Sequence, residues 1–156
     1  MLQIEIPGNE TLQLQHLVLD YNGTIACDGM VKPNVLSKLR ELSQQLQIHV
    51  ITADTHGSVH AACSGNFIQI TVIGQRDQDR QKKAYVDQLG AQSCVAVGNG
   101  SNDALMLENA ALGIAVMQEE GCATKTLIAS DLSFGSIEDV LDSLLKSKRI
   151  TASLRN

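Results

Sequence analysis

The chain has 156 residues, of which 44% are hydrophobic and 19% charged, and its formal net charge is −5. This length suits one domain with a single core, and the balanced composition excludes a disordered chain. A negative net charge disfavours a broad nucleic-acid-binding surface, and no apolar run is long enough to cross a membrane. We therefore expect a one-domain protein that binds neither nucleic acid nor a membrane.

Cysteine usage and the start of the chain indicate a cytoplasmic protein. The four cysteines are widely separated and form no Cys-x-x-Cys pair. We therefore expect reduced thiols rather than a zinc site or a disulfide framework. Residues 1–7 alternate apolar and polar side chains and lack the cationic start and apolar stretch of a secretory signal.

In chain order, the sequence predicts a hairpin followed by alternating strands and helices. Residues 1–15 alternate in polarity on both sides of Pro7-Gly8-Asn9, which indicates the hairpin. Strand patterns follow at residues 17–19, 48–51, 67–73, 94–97 and 113–116. Helical patterns lie at residues 33–46, 55–63, 77–89, 102–109, 122–128 and 137–146. This order predicts an α/β domain with a parallel sheet between helices, divided into a hairpin (1–15), a core (16–145) and a C-terminal tail (146–156).

Polar side chains follow the ends of the predicted strands, where parallel sheets bind their ligands. Asp20 ends the first buried strand, and its carboxylate could attack phosphorus or bind a hard cation, although turn aspartates are common. Thr52 ends the next strand and could donate its hydroxyl to a phosphoryl oxygen, although strand-end threonines are ordinary. A lysine near these ends, Lys82 or Lys83, could neutralise the phosphoryl group, although most such lysines are simply solvated.

The run Gly98-Asn99-Gly100-Ser101-Asn102-Asp103 is the most informative segment. Its two glycines allow the backbone to approach a ligand closely, and Asn102 and Asp103 then present an amide and a carboxylate at a helix start. An ordinary helix cap explains one of these two side chains but not the whole run.

The ordered set of motifs resembles the haloacid dehalogenase (HAD) superfamily. The set comprises Asp20-x-x-Gly23-Thr24, Thr52, Lys82 and the run from Gly98 to Leu107, and it spans residue 16 to about residue 143. The pattern is most similar to soluble proteins that resemble the phosphorylation domain of P-type ATPases. This resemblance implies a three-layer, Rossmann-like α/β fold without a cap domain. It also implies Mg²⁺-dependent phosphohydrolase or phosphotransferase chemistry through an aspartyl phosphate on Asp20.

The resemblance implies roles for residues at the matching positions. Asp20 is the nucleophile, and Asn102 supports Lys82, which is preferred to Lys83 because it precedes Val86 by four residues. The implied contacts to the phosphoryl oxygens are Gly23, Thr52, Ala53 and Lys82. The implied Mg²⁺ ligands are Asp20, the backbone carbonyl of Asn22, Asn99 and Asp103.

Two positions depart from the HAD pattern. Phosphatases of the superfamily have a general acid–base aspartate where this chain has Asn22, and losing such help costs on the order of a hundred- to ten-thousand-fold in rate. Asn99 replaces an aspartate of the fourth motif, which removes a negative charge from the metal site. We expect slow turnover; the alternative is a non-catalytic phosphate-binding or regulatory protein that retains the fold.

The gaps at residues 25–32 and 74–81 are too short for a cap domain, so the site should be open. An open site suits a small or macromolecular phosphorylated substrate, or a homo-oligomer in which a second subunit covers the site.

His56 and His60 could bind a transition metal but lack a third ligand, so we interpret them as surface residues. His16 and His49 lie in strand-like runs and are predicted at the edge of the core.

Overall fold

A computed structural model describes residues 1–54, 58–63 and 65–156. The strands are β1 (Leu2–Ile4), β2 (Leu12–Leu14), β3 (His16–Asp20), β4 (Ala26–Cys27), β5 (Met30–Val31), β6 (Gln47–Thr52), β7 (Ile68–Val72), β8 (Cys94–Gly98), β9 (Leu112–Val116) and β10 (Leu132–Phe134). The α-helices are α1 (Val35–Leu42), α2 (Ser58–Ala62), α3 (Gln78–Leu89), α4 (Ala104–Asn109), α5 (Thr124–Ala129), α6 (Ile137–Leu145) and α7 (Lys148–Leu154). Short 3-10 helices lie at Ala91–Ser93 and Ser101–Asp103.

The central sheet has six parallel strands in the order β10-β9-β8-β3-β6-β7. The chain enters at β3, builds outward through β6 and β7, and then crosses back to β8 before building out to β9 and β10. This reversal leaves a crevice at the carboxyl ends of β3 and β8, where open α/β sheets bind ligands. Every residue of β8 and β9 is buried, as expected for strands covered on both faces.

Two apolar clusters cover the two faces of the sheet. Leu17 and Leu19 point toward the larger cluster, which includes the buried side chains of α1, α6 and the β1–β2 hairpin. Val18 points the other way, into a smaller cluster that includes buried residues of α3 and α4. Successive side chains of β3 therefore point to opposite faces of the sheet, as in any β-strand.

The α/β prediction is confirmed, and the N-terminal hairpin forms as predicted, with Leu2 opposite Leu14 in an antiparallel pair. The helix predicted over residues 33–46 is shorter, because turns follow α1 from Ser43 onward. Among the strands and α-helices, four have no counterpart in the predictions: the two-residue strands β4 and β5, the three-residue edge strand β10 and the helix α7. The first residues of the helix predicted over 55–63 lie outside the described part of the chain.

Residues 146–156, predicted as a tail, contain α7, which contacts the N-terminal hairpin. Thr151 Oγ1 donates to the Glu5 carbonyl at 2.9 Å, and Asn9 Nδ2 donates to the Leu154 carbonyl at 3.0 Å. Ile150 of α7 is buried in the larger cluster. Ile150 therefore anchors α7 to the core, while the other residues of this helix stay at least partly exposed.

The gap at residues 25–32 holds only the small β4–β5 hairpin, which Tyr21 anchors by donating its hydroxyl to the Gly29 carbonyl at 2.9 Å. Within residues 1–54, 58–63 and 65–156 no cap domain covers the crevice. No helix in this part of the chain is both long and apolar enough to span a bilayer.

A chain of polar side chains links β3, β6 and β7 of the sheet to α3. His49 is 1% exposed, its Nε2 lies 3.1 Å from His16 Nδ1, and its Nδ1 lies 2.9 Å from the Tyr85 hydroxyl. Thr71 Oγ1 donates to the same hydroxyl at 3.3 Å. His49 therefore lies inside the core with both ring nitrogens partnered, and His16 lies beside it, half-buried.

Candidate active site

Three buried charged side chains meet at the carboxyl end of β3. Lys82 Nζ, on α3, lies 2.6 Å from Asp20 Oδ1 and 2.7 Å from Asp103 Oδ1. Lys82 and Asp103 are fully buried, and Asp20 is 7% exposed. A buried ammonium is tolerated only when it is paired and hydrogen-bonded, and here one cation serves two carboxylates.

The buried environment of this triad shifts the pKa values of Asp20 and Lys82. Burial and the neighbouring Asp103 carboxylate raise the pKa of Asp20 to about 7, against the opposing effects of Lys82 and Thr24. Burial lowers the pKa of Lys82, but the two carboxylates outweigh it and the net shift is upward. Lys82 is therefore charged at neutral pH, and a cation bound next to Asp20 would favour its ionised form.

Asp103 also organises the loop that follows β8, residues 99–103, which we call the Asn99 loop. Its Oδ2 accepts hydrogen bonds from the backbone N–H of Asn99 at 3.0 Å and of Gly100 at 2.9 Å. A Cβ on Gly98 would overlap the Asp103 side chain, so this position requires glycine. With Oδ1 on Lys82, both oxygens of Asp103 have partners inside the protein.

Residues 21–24, which we call the Asp20 loop, bring β3 and the Asn99 loop together. Gly23 has φ +81°, and a Cβ there would overlap the Asn99 amide, so conformation and space both require glycine. Thr24 Oγ1 lies 3.2 Å from Asp20 Oδ2 and 3.3 Å from Asn99 Oδ1. One hydroxyl therefore lies between the candidate nucleophile and the candidate metal ligand.

Thr52 lies at the end of β6, next to β3, and is 2% exposed. Its Oγ1 accepts a hydrogen bond from the Asp54 backbone N–H at 3.0 Å, which fixes the side chain against the turn. The Thr52 O–H can then donate to an anion in the crevice.

A cavity of about 400 Å³ opens at this crevice. The predicted site residues that line it are Asp20, Asn22, Thr52, Ala53, Lys82, Asn99 and Asn102. Gly23 and Asp103 are not in the lining, but each contacts residues that are. The structure thus brings the predicted residues together at one place.

Three lining residues, Asp54, Gln75 and Gln78, are not among the predicted site residues, and Gly100, from the run singled out above, also lines the cavity. Gln75 Nε2 donates to the Ala53 carbonyl at 2.6 Å, and Gln78 Nε2 donates to the Gln75 carbonyl at 3.2 Å. Asn102 Nδ2 donates to Gln78 Oε1 at 2.8 Å. We call Gln75, Gln78 and Asn102 the carboxamide rim. The only available sequence signal was proximity, because Gln75 and Gln78 precede Lys82 and Asp54 follows Thr52.

Of the two histidines considered above as metal ligands, His60 is not in this cavity lining. His60 is exposed on α2, and His56 lies outside the described residues. No group of three or more His, Cys, Asp or Glu side chains is positioned to hold a metal ion within the part of the chain that the structure describes.

No known family profile matches the sequence. Two short uncharacterized proteins of Methanocaldococcus jannaschii are similar in sequence. MJ0073 is 47% identical over 62 residues, which are 40% of this chain and 67% of that protein. MJ0072 is 44% identical over 39 residues, which are 25% of this chain and 89% of that protein. The chain belongs to the same family as these proteins, whose names state no activity.

Solved structures share the fold at low sequence identity. The cobalt-bound deoxy-D-mannose-octulosonate 8-phosphate phosphatase of Haemophilus influenzae has a TM-score of 0.68 at 11% identity, covering 92% of this chain and 94% of that one. The 3-deoxy-D-manno-octulosonate 8-phosphate phosphatase of Moraxella catarrhalis, bound to magnesium, phosphate and KDO, has a TM-score of 0.62 at 18% identity, covering 90% of each chain. This chain has the HAD fold.

The catalytic domain of the CPx-ATPase CopB-B shares the HAD fold as well. Its TM-score is 0.57 at 21% identity, and the match covers 73% of this chain and 45% of that one. The predicted likeness to both phosphatases and an ATPase domain is therefore confirmed at the level of the fold.

The donors at this crevice suit a hard divalent cation. The Asp20 carboxylate and the Asn99 amide oxygen flank the Thr24 hydroxyl, and Asn22 lines the same cavity. Carboxylate, amide and carbonyl oxygens are the ligand types that Mg²⁺ accepts, together with retained waters. The residues present therefore fit the ion, with Asp20 as the charged ligand and Asp103 directed toward Lys82 and the loop.

Proposed function

We propose that this HAD-fold protein is a Mg²⁺-dependent phosphohydrolase or phosphotransferase that forms an aspartyl phosphate on Asp20. The observation that carries the proposal is the position of the Asp20 carboxylate. It lies at the switch point of the sheet, between Lys82 Nζ at 2.6 Å and Thr24 Oγ1 at 3.2 Å, in a cavity that Thr52 also lines.

In the proposed reaction, Asp20 is the nucleophile. A carboxylate oxygen of Asp20 attacks phosphorus, the bond from phosphorus to the ester oxygen breaks, and that oxygen takes a proton from water. A second water then attacks phosphorus, which releases phosphate and restores the carboxylate. Lys82 and the Thr52 hydroxyl hold the phosphoryl oxygens, and a bound Mg²⁺ would offset their negative charge. Asp20, Asn22 and Asn99 would hold that ion.

Asp103 is best described as a positioning residue in this scheme. It holds Lys82 on one side and the Asn99 backbone on the other, so it fixes the two groups that flank Asp20. Direct metal binding by Asp103 stays a prediction, and its existing partners favour this indirect role.

Turnover should be slow, since Asn22 cannot exchange a proton with the leaving group. The same observation favours the second candidate function, a phosphate-binding or regulatory protein without turnover. Asn99 supports it too, because an amide contributes no charge to the metal site.

The cavity supports a small phosphomonoester as substrate. Its carboxamide rim is neutral and can donate and accept hydrogen bonds, as hydroxyl-rich leaving groups require. The HAD-fold phosphatase of Moraxella catarrhalis, named for a sugar acid phosphate, supports the same class. A cytoplasmic location and a homo-oligomer that covers the open site stay predictions.

Hydrolysis of an aryl phosphate tests the proposal. Activity should require both Mg²⁺ and Asp20, so it should be lost with EDTA and in Asp20→Asn. Asp28→Asn is the matched control, because Asp28 is exposed in the β4–β5 turn at φ +50°, a conformation that asparagine tolerates. Equal activity in Asp20→Asn would refute the proposal.

Asn22→Asp separates the two candidate functions. If the site is organised for catalysis and lacks only an acid, this variant should raise hydrolysis by at least ten-fold. Phosphate binding that needs Mg²⁺, with no turnover in either the natural chain or folded Asn22→Asp, would support the non-catalytic alternative.

A further inference from the structure

Gln118, in the connection that follows β9, uses its whole side-chain amide in hydrogen bonds. Its Nε2 donates to the backbone carbonyls of Gly23 at 3.1 Å and Thr24 at 2.9 Å. Its Oε1 accepts from the Ile137 backbone N–H at 2.8 Å and from Lys32 Nζ at 3.1 Å. A primary amide has two N–H donors and two acceptor lone pairs, so its capacity is filled.

The bonds from Nε2 reach the Asp20 loop at the backbone of Gly23 and Thr24. Gly23 has positive φ and no side chain of its own to restrain it, and glycine has the widest choice of backbone conformations. Once both carbonyls are held by Gln118, the Thr24 hydroxyl is directed at Asp20 and Asn99. Gln118 therefore acts on Asp20 through the backbone of the loop.

The bond from Ile137 fixes Gln118 itself. Ile137 is the first residue of α6, whose start is capped by Ser136, with Oγ accepting from the Asp139 N–H at 3.1 Å. This helix buries Val140, Leu141 and Leu144 in the larger cluster. The amide is thus attached to the first residue of a helix that packs in the core.

The same connection also braces the Asn99 loop. The Gly121 carbonyl accepts from Asn99 Nδ2 at 3.1 Å, and the Ala123 N–H donates to the Asn99 carbonyl at 2.8 Å. Thr126 Oγ1 donates to the Gly100 carbonyl at 2.6 Å. We call residues 118–126 the clamp segment, because it holds the Asp20 loop at one end and the Asn99 loop at the other.

We propose that Gln118 is a positioning residue of the phosphoryl site: through Gly23 and Thr24 it sets the place of Asp20 relative to Asn99. This inference rests on the proposed function. Gln118 lies well outside the four motifs, on a segment that supplies no lining residue of the cavity, so the inference assigns it a role that the motifs do not. A misplacement of about 1 Å at reacting groups costs on the order of a hundred-fold in rate, so a loosened Asp20 loop should slow phosphoryl transfer.

Gln118→Glu tests the inference with little change in volume. The carboxylate keeps an acceptor for Ile137 and Lys32 but cannot donate to the two carbonyls. Gln118→Met removes all four hydrogen bonds with a side chain of similar length. It is the second test variant if Gln118→Glu does not fold. Gln44→Glu is the matched control, because Gln44 is exposed after α1 and away from the cavity.

Two measurements separate positioning from loss of structure. In aryl phosphate hydrolysis at saturating Mg²⁺, we expect kcat to fall about ten- to a hundred-fold in Gln118→Glu, with KM within about three-fold of the natural value. In ¹⁹F NMR, beryllium fluoride with Mg²⁺ should bind at Asp20 at least ten-fold more weakly than in the natural chain. Urea unfolding should show a folded variant under the assay conditions.

The outcomes distinguish this inference from the proposed function. If the natural chain is active and binds beryllium fluoride through Asp20, and both Gln118 variants match it, the inference is wrong. A variant whose lost activity is fully explained by its unfolded fraction contradicts it as well. If the natural chain shows neither Asp20-dependent turnover nor Asp20-dependent binding, the proposed function itself fails.

Discussion

The buried imidazole of His49 should make the free energy of unfolding depend on pH. His49 is 1% exposed, and burial, followed by the neighbouring His16 charge, lowers its pKa from 6.5 to about 4. In the unfolded chain the ring regains its ordinary pKa, so between about pH 4 and 6.5 the unfolded state binds more protons. The contribution of His49 to stability is therefore complete above about pH 6.5 and is lost as the pH falls toward 4.

The size of this loss follows from the shift. One pKa unit corresponds to about 1.4 kcal/mol, so the full effect is about 3 kcal/mol and the part lost between pH 7 and pH 5 is about 2 kcal/mol. Asp20 acts in the opposite direction, because its raised pKa makes the metal-free folded state bind more protons than the unfolded state as the pH falls. The measurement must therefore isolate His49.

Urea unfolding of the natural chain and of His49→Gln at pH 7 and pH 5 isolates the contribution of His49 to the pH dependence of stability. The variant will be less stable at pH 7, because it disturbs the bonds to His16 and Tyr85. Between pH 7 and pH 5, however, the natural chain should lose about 2 kcal/mol more than the variant does. His60→Gln, at an exposed position on α2, should keep the natural pH dependence. Equal losses in the natural chain and His49→Gln would refute a buried neutral imidazole.

Three further predictions concern the site. Lys82→Met should reduce Asp20-dependent hydrolysis at least a hundred-fold in steady-state kinetics, whereas Lys83→Met, at a partly exposed lysine paired with Asp87, should leave it within about two-fold. Gly23→Ala should weaken Mg²⁺ binding and activity together, because its Cβ would overlap the Asn99 amide at positive φ; a calorimetric affinity equal to the natural one would contradict this. Mg²⁺ at about a hundred times its Kd should raise the free energy of unfolding by about 2.7 kcal/mol in the natural chain and by much less in Asp20→Asn, as measured by thermal unfolding.

The sheet could be predicted because its strands are short apolar runs separated by helical patterns. β8 and β9, buried at every residue, gave the clearest signal. β10 has three residues at the edge of the sheet with a partly exposed pattern, so it lacks the apolar run that identifies a strand. α7 has a single fully buried residue, Ile150, and its place depends on contacts with the hairpin at the other end of the chain.

Some residues of the candidate site could likewise be predicted from the sequence, and others could not. Asp20 and Thr52 end parallel strands and Asn99 directly follows one, and topology alone brings such positions to one edge. Gln118 could not be found from sequence, because its contact with Gly23 joins residues 95 positions apart in the chain. The orientation of Asp103 also depends on tertiary structure, since a helix-start carboxylate can face a metal, a lysine or its own loop.

The amide at position 99 has a role that an aspartate could not perform. Asn99 Nδ2 donates to the Gly121 carbonyl, which belongs to the clamp segment, while Asn99 Oδ1 stays on the side of Thr24. A carboxylate has no N–H, so an aspartate would place a second negative oxygen against that carbonyl, in a site where Lys82 already balances two carboxylates. The departure from the HAD pattern therefore removes one charge from the proposed metal site and gains a bond that fixes the Asn99 loop to the clamp segment. Because Gln118 in the same segment fixes the Asp20 loop, the chain can hold its two site loops in register before any cation binds.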